Sequence, residues 1–485
     1  MPKIVPQFVR FLFGFLVVTA CAGEDSAKAK YVFLFVGDGM GSAQVALAEA
    51  YKASLEGDSV GFVPTSFSQF PVRADVTTHC AVRRTTESAA AGTAIASGSK
   101  AGEAAIGVDV SGKALRTLAE EARDAGVPVG ILSTVPVNHA TPAAFYAHVP
   151  NRNDYWEIGR QLADSRMSLF AGGDFQEPEG GKGEPREDLR EIAKKKGFRI
   201  VRGRDSIVAN TTLPAILFGL DPSAAALPWE MDSSDARTPV LADYVASAIR
   251  LLDGPKGFFV MAEAGKIDWA GHANDARANI DEVWGLDSAV KVALEFAAKH
   301  PKQTLILVTA DHETGGLSLG SGATGYKTDF GLLRHQKSSR DRLESYLAPI
   351  AASVKTARTA GDTAKVVSQV FARIATETEL GRIPELALAA TDSIEIMESL
   401  RAQWGIAKAG AKSGYGATGS PAATAIRILN RKAGVGWTTG AHTAIPVPLY
   451  AMGVGQEKFG GRLDNTDIPW LVRELAAWRK MRCSP

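Results

Sequence analysis

The chain has 485 residues, 45% of them hydrophobic and 22% charged, an ordinary balance for a soluble globular protein with a large core. Its 54 basic and 53 acidic residues leave a formal charge of +1, which excludes a global field for nucleic acid or an anionic membrane surface. Any anion must be captured locally, and three scattered cysteines do not make a disulfide framework.

Lys3 and Arg10 precede an apolar run, FLFGFLVVTA, that is too short to span a bilayer and suits the core of a secretory signal over residues 1–20. Val18-Thr19-Ala20-Cys21 resembles a bacterial lipoprotein cleavage box, with Cys21 as the lipidated first residue; the simpler alternative is a cut after Ala20 or Ala22. Either way an extracytoplasmic protein of the periplasm or cell envelope is expected, with lipid at Cys21 as its only tie to a membrane. A linker, residues 21–30, ends in EDSAKAK and is expected to be exposed.

From residue 31 the pattern is regular. YVFLFVG (31–37) is a continuous apolar run, the mark of a strand buried on both faces. Similar runs recur at 127–134, 167–172, 215–220, 257–263, 304–310 and 447–455. Helical periodicity lies between them, at 114–126, 238–253 and 280–299. This alternation predicts one α/β domain over 31–485, a three-layer, doubly wound α/β/α fold with a mainly parallel sheet. A less regular stretch, about 320–435, reads as a helical capping insertion, with a flexible-looking KAGAKSGYGATGS at 408–420.

In such folds ligands bind beyond the carboxyl ends of the strands, so chemistry-bearing residues should follow apolar runs. Asp38 follows the first, Glu263 ends GFFVMAE, and TLILVTADHETGG delivers Asp311 and His312. Asp268 and His272 are four apart, one face of a helix and a spacing for two ligands of one metal. Any one of these alone reads as turn chemistry or a satisfied histidine; their shared position at strand ends does not. Mixed Asp/His sets suit zinc and oxygen sets suit magnesium, and two close ions meet the needs of phosphoryl transfer. In RRTTESAAAGTAIASG (83–98) small residues permit a closely packed helix starting near Ser88. That places a hydroxyl nucleophile where N-terminal amides favour phosphate.

FVGDGMG, TESAAAGTAIASG, VNHATPAAFYAHVPNRN, EAGKIDWAGH, VTADHETGG and WTTGAHT occur in the order of the signature segments of alkaline phosphatases, and the resemblance runs from Tyr31 to the C-terminus. It implies a transiently phosphorylated Ser88 and two zinc ions. Asp268, His272 and His442 hold the first; Asp38, Asp311 and His312 hold the second, which activates Ser88. One magnesium is implied at Asp38, Thr141 and Glu263, and Arg152 grips two phosphate oxygens. Without the resemblance, GAHTAIPVP around His442 reads as a loop before a strand. The resemblance also implies phosphate monoester substrates, inorganic phosphate as product and a homodimer.

Three positions depart from the family pattern. Glu87 stands where Asp usually precedes the serine, which puts the anchoring of Arg152 in question. His139, two before Thr141, weakens magnesium preference at the third site or binds through water. Trp269 replaces a cationic contact to phosphate. Arg83, Arg84, His79, His148, His300 and His335 are read as structural or solvated. Two other readings stay open: a phosphodiesterase or sulfatase of the same superfamily, and a non-catalytic envelope protein binding metal or phosphate.

Overall fold

Seven apolar runs form the centre of one ten-stranded sheet. The computed structural model describes residues 28–478 apart from 182, 184, 355–358 and 405–418. The export signal, Cys21, Cys483 and residues 408–418 of the flexible-looking segment lie outside the described residues.

In chain order the strands are β1 (Tyr31–Gly37), β2 (Val72–Thr77), β3 (Val129–Ser133), β4 (Leu169–Gly172), β5 (Arg199–Arg202), β6 (Ala215–Phe218), β7 (Phe258–Ala264) and β8 (Thr304–Thr309), followed by Val447–Gly453 and Gly461–Asp464. Across the sheet they run Gly461–Asp464, β2, Val447–Gly453, β8, β1, β7, β3, β4, β6, β5. Nine point one way; Val447–Gly453 is antiparallel to both its neighbours. All residues of β1, β3, β4, β6, β7 and β8 are buried, so both faces of the sheet are covered. The doubly wound α/β expectation holds, and these strands match the apolar runs to within a residue or two.

Register sets the site. Val36 of β1 lies beside Glu263 of β7 and Thr309 of β8, while Ser133 of β3 pairs with Glu263. The adjacent strands β8, β1 and β7 therefore end level, and the segment leaving each of them enters the same space.

The helices match less closely. The expected 114–126 helix shortens to Leu118–Asp124, because Thr117 and Glu120 form a capping box that fixes its start. The expected 280–299 helix begins earlier, as Ala276–Lys299, because Asp275 accepts from the Ala278 amide at 3.1 Å. The expected exposed linker is corrected at its end. Ala29 is fully buried and its backbone bonds to Leu475 and Ala477, a short parallel bridge that stitches the approach to β1 to the end of the helix Asp467–Leu475.

Between the short antiparallel strands Leu317–Leu319 and Val435–Trp437 the chain makes its helical excursion, through Arg340–Val354, Ala360–Thr378, Ala390–Trp404 and Pro421–Ala433. Asp275 also accepts from Gln336 Nε2 and the Arg340 amide, both at 2.8 Å, and Asp232 takes the Ser339 amide and hydroxyl. No helix among the described residues is long and apolar enough to cross a membrane.

Asp275→Ala removes a helix cap and two ties to the excursion at once. It should destabilise the protein by about 2 kcal/mol, read as a lower midpoint in urea unfolding.

Candidate metal centre

Asp38 directly follows β1, Glu263 sits in the last residues of β7, and Asp311 and His312 come two and three residues after β8. Asp268 and His272 share one face of the helix Lys266–Ala273, as their spacing predicts. The turn after β1 needs glycine at 39. Its φ is +73°, and a Cβ there would lie 2.8 Å from the Asp268 Cα. Gly271 is equally constrained, since a Cβ would lie 2.9 Å from the Thr314 methyl.

Ser88 opens the helix Ser88–Ser97 and is buried, its Oγ 3.3 Å from His312 Nε2. Glu87 is the N-cap. Its carboxylate accepts from the amides of Ala89 (2.9 Å), Ala90 (2.8 Å) and Ala104 (3.0 Å), and from Arg152 Nη1 at 2.7 Å. The longer acid therefore anchors Arg152 while capping the helix. One expectation changes as a result: the Ala89 and Ala90 amides are engaged by Glu87 and are not free for phosphate, so the helix offers an anion its dipole rather than these donors.

The three histidines present the same atom. His272 Nδ1 lies 2.7 Å from the Gly440 carbonyl and His442 Nδ1 2.9 Å from the Thr86 carbonyl, while His312 Nδ1 is 3.3 Å from Thr314 Oγ1. Each partner orients the ring and leaves Nε2 facing inward. His272 Nε2 is 3.3 Å from Asp268 Oδ2 and 3.1 Å from His442 Nε2, which is 3.4 Å from Asp268 Oδ1. His312 Nε2 is 3.3 Å from Asp311 Oδ2 and 3.5 Å from Asp38 Oδ1. His442 arrives by a two-residue ribbon, His442 opposite Thr314 and Thr443 opposite Glu313. No local pattern announces that pairing, so reading the sequence element by element leaves His442 in a loop.

Two supporting residues also escape sequence reading. Ser133 donates to Glu263 Oε2 at 2.5 Å, and Thr314 donates to Asp268 Oδ1 at 2.5 Å. Thr314 carries a faint signal, being two past His312 and so on the same face of an extended segment.

The centre is short of partners for its charge. Among the described residues, both oxygens of Asp38, Asp311 Oδ2, Glu263 Oε1, Thr141 Oγ1 and His139 Nδ1 are buried without a hydrogen-bond partner. Burial, with the charges of Asp311, Asp268 and Glu263, pushes the Asp38 carboxyl well above its usual range. Burial raises Glu263 to about 7, against the pull of the Ser133 hydroxyl, and burial with Asp268 raises Asp311 to about 6. Asp268 goes the other way: burial opposes ionisation, but His272 and His442 hold it well below the usual range. Burial, then Arg152, lowers His139 to about 3, and burial, then His442, drives His312 well down. A cation would bring the raised carboxyls of Asp38, Glu263 and Asp311 back down, while the lowered imidazoles of His139 and His312 leave neutral rings ready to ligate one.

Three groups have ligand atoms mutually within 4.8 Å: Asp268, His312 and His442; Asp38, Asp311 and His312; Asp38, His139 and Glu263. Asp38 and His312 each belong to two, so the groups adjoin. These donors fit metal ions, nitrogen-rich around the histidines and oxygen-rich around Asp38, Thr141 and Glu263. His139 contributes a ring to the third group, with Nε2 3.3 Å from Arg152 Nη2 and Trp269 edge-on to it at 6.0 Å. The residues read as structural lie apart: Arg83 pairs with Glu103, His79 faces Asp464, His148 sits between Gly107 and Glu120, and His300 packs on Tyr31 and Phe296. His335 closes the turn Phe330–His335 of the excursion, and Cys80 is buried with no disulfide partner among the described residues.

Fold and site together define an α/β enzyme whose strand ends converge buried carboxylates and imidazoles on a helix-opening serine. The alkaline phosphatase family model matches residues 29–478, and the chain belongs to that family. It is similar to alkaline phosphatase 4 of Bacillus subtilis, 32% identical over 462 residues, spanning 92% of this chain and 88% of that one. Among solved structures it resembles the cold-active alkaline phosphatase of the psychrophile Shewanella sp. (27% identical, TM-score 0.74, covering 93% of this chain and 100% of that one). It also resembles that of Thermus thermophilus (26% identical, TM-score 0.75, covering 93% and 92%).

Glu263 gives a pH prediction with a definite sign. Its folded value, about 7, lies above the ordinary 4.5, so its contribution to stability is complete below 4.5 and lost as pH rises through 7. In chelator-treated protein Glu263→Gln should melt close to the wild type at pH 4.5 and above it at pH 8, by on the order of 3 kcal/mol. With metal restored at pH 8 the order should reverse.

Proposed function

We propose that this chain is an exported alkaline phosphatase that hydrolyses phosphate monoesters through a phosphoserine at Ser88, using two zinc ions and one magnesium. The observation that carries this reading is the set of unpartnered buried ligand atoms of Asp38, Asp311, Glu263, Thr141 and His139, with His312, grouped with Asp38 and Asp311, against Ser88 Oγ. Asp268, His272 and His442 would hold the first zinc. Asp38, Asp311 and His312, with Ser88, would hold the second, and Asp38, Thr141 and Glu263, with His139, the magnesium. When bound, these ions supply positive charge to the oxygens that enter and leave phosphorus. In the same reading residues 31–485 form one domain with the insertion at about 320–435, preceded by the export signal and linker, and the working unit is a homodimer.

The chain's own residues account for the rest. Glu87 holds one edge of the Arg152 guanidinium, leaving its other donors to grip two phosphate oxygens in a fixed orientation. The helix dipole behind Ser88 favours the dianion at its start. Ser88 Oγ attacks phosphorus as the ester P–O bond breaks and the alcohol leaves with a proton. Water then cleaves the phosphoserine, releasing inorganic phosphate and restoring the hydroxyl. Arg152 neutralises charge on the transferring group, the main demand of a loose phosphoryl transition state.

Purified protein should carry two zinc per chain by metal analysis and release phosphate from a monoester faster as pH rises above neutral. A faster rate on a diester or a sulfate ester would reassign it within the superfamily. Metal without turnover on any ester would make it a binding protein. Ser88→Ala should lower turnover about a thousandfold or more while zinc stays bound. Glu87→Ala frees Arg152 and uncaps the helix, and should lower kcat/KM about a hundredfold in steady-state assays.

A further inference from the structure

The helix that carries Asp268 and His272 ends on Asn274, whose φ of 50° and ψ of 40° are left-handed, a conformation that asparagine tolerates better than most side chains. Its Nδ2 donates to the Gly271 carbonyl and to the Thr439 carbonyl, each at 2.9 Å. Thr439 precedes Gly440, whose carbonyl orients His272, and His442 comes two residues later. One side chain thus fastens the end of the His272 helix to the loop that presents His442.

The loop's backbone-to-backbone ties run elsewhere. The Thr438 and Thr439 amides donate to the Gly315 carbonyl, and the Gly315 amide to Ala441, so the loop is pinned on the side of His312. On the side of His272 the tie from Asn274 stands beside that from the His272 ring itself to the Gly440 carbonyl. The Asn274 carbonyl accepts from Asn430 Nδ2 at 2.7 Å, and Asn430 is buried on the helix Pro421–Ala433 of the excursion. A buried amide costs free energy unless it is hydrogen-bonded, so this contact fixes where the helix meets the site.

We infer that Asn274 is a positioning residue that sets the separation of His272 and His442, and that Asn430, from the insertion, seats it. The inference rests on the assignment of these histidines to the first zinc. An outer partner that orients a ligand typically changes metal affinity about tenfold or more when removed.

Three variants test it: Asn274→Gly, which keeps the left-handed backbone; Asn274→Asp, which keeps the shape but loses the donor; and Asn430→Ala. In the full-length, zinc-loaded protein, zinc release to a chelator is followed with a metallochromic dye, beside kcat, KM and the melting temperature of the chelated protein. Asn274→Gly and Asn274→Asp should each speed release of one zinc equivalent about tenfold and leave the other near wild type. Their kcat should fall and excess zinc should restore it, with the melting temperature of the chelated protein little changed. Asn430→Ala should act in the same direction. Wild-type release rates in Asn274→Gly would overturn the inference, and so would equal loss of both equivalents with a lowered melting temperature. A wild type that takes up no zinc would instead refute the functional reading beneath it.

Discussion

Repulsion among buried carboxylates is the constraint on which the rest of this structure depends. Asp38, Glu263 and Asp311 come from three neighbouring strands that end level, with Asp268 close behind on the helix after β7. No flexible surface would hold four acids so close together out of water. The sheet does, because β1, β7 and β8 are buried along their whole length and cannot shift register without exposing apolar side chains. Core packing is thus what forces the charges together, and the charges make the core's rigidity useful.

The organic half of the site is organised by shared partners. Glu87 caps the Ser88 helix and holds Arg152, so one carboxylate ties the start of that helix to the guanidinium. Thr314 binds Asp268 and stands beside His312, linking the two histidine-bearing groups, and its backbone pairs with His442. Such double duty favours precision over adaptability: few contacts can be lost singly.

How much of this was legible in the sequence depends on how local each signal is. The central strands were legible because a strand buried on both faces is written as an unbroken apolar run, and the residues after it fall at the site by topology alone. β2 was not, since Arg73 and Asp75 face outward between Ala74 and Val76; β5 and Gly461–Asp464 are short and partly exposed edge strands. Asp268 and His272 declared themselves through helical spacing. His442 did not, because a two-residue ribbon closed across more than a hundred residues leaves no periodic trace, and only the family resemblance located it. The engagement of the Ala89 and Ala90 amides by Glu87 was likewise invisible, since it depends on the rotamer of one side chain.

The pairing of Leu317–Leu319 with Val435–Trp437 bears on how such a chain can change. Because the excursion departs and returns through adjacent strands, its two ends are held together whatever lies between them. Lengthening the connections between the outer helices costs only the slow logarithmic growth of loop entropy, whereas the helices themselves bury Leu343, Val370, Ile374, Ile396 and Leu400 in the core. The connections between the outer helices are therefore open to inserted or grafted sequence, on an excursion whose two ends flank the residues of the site.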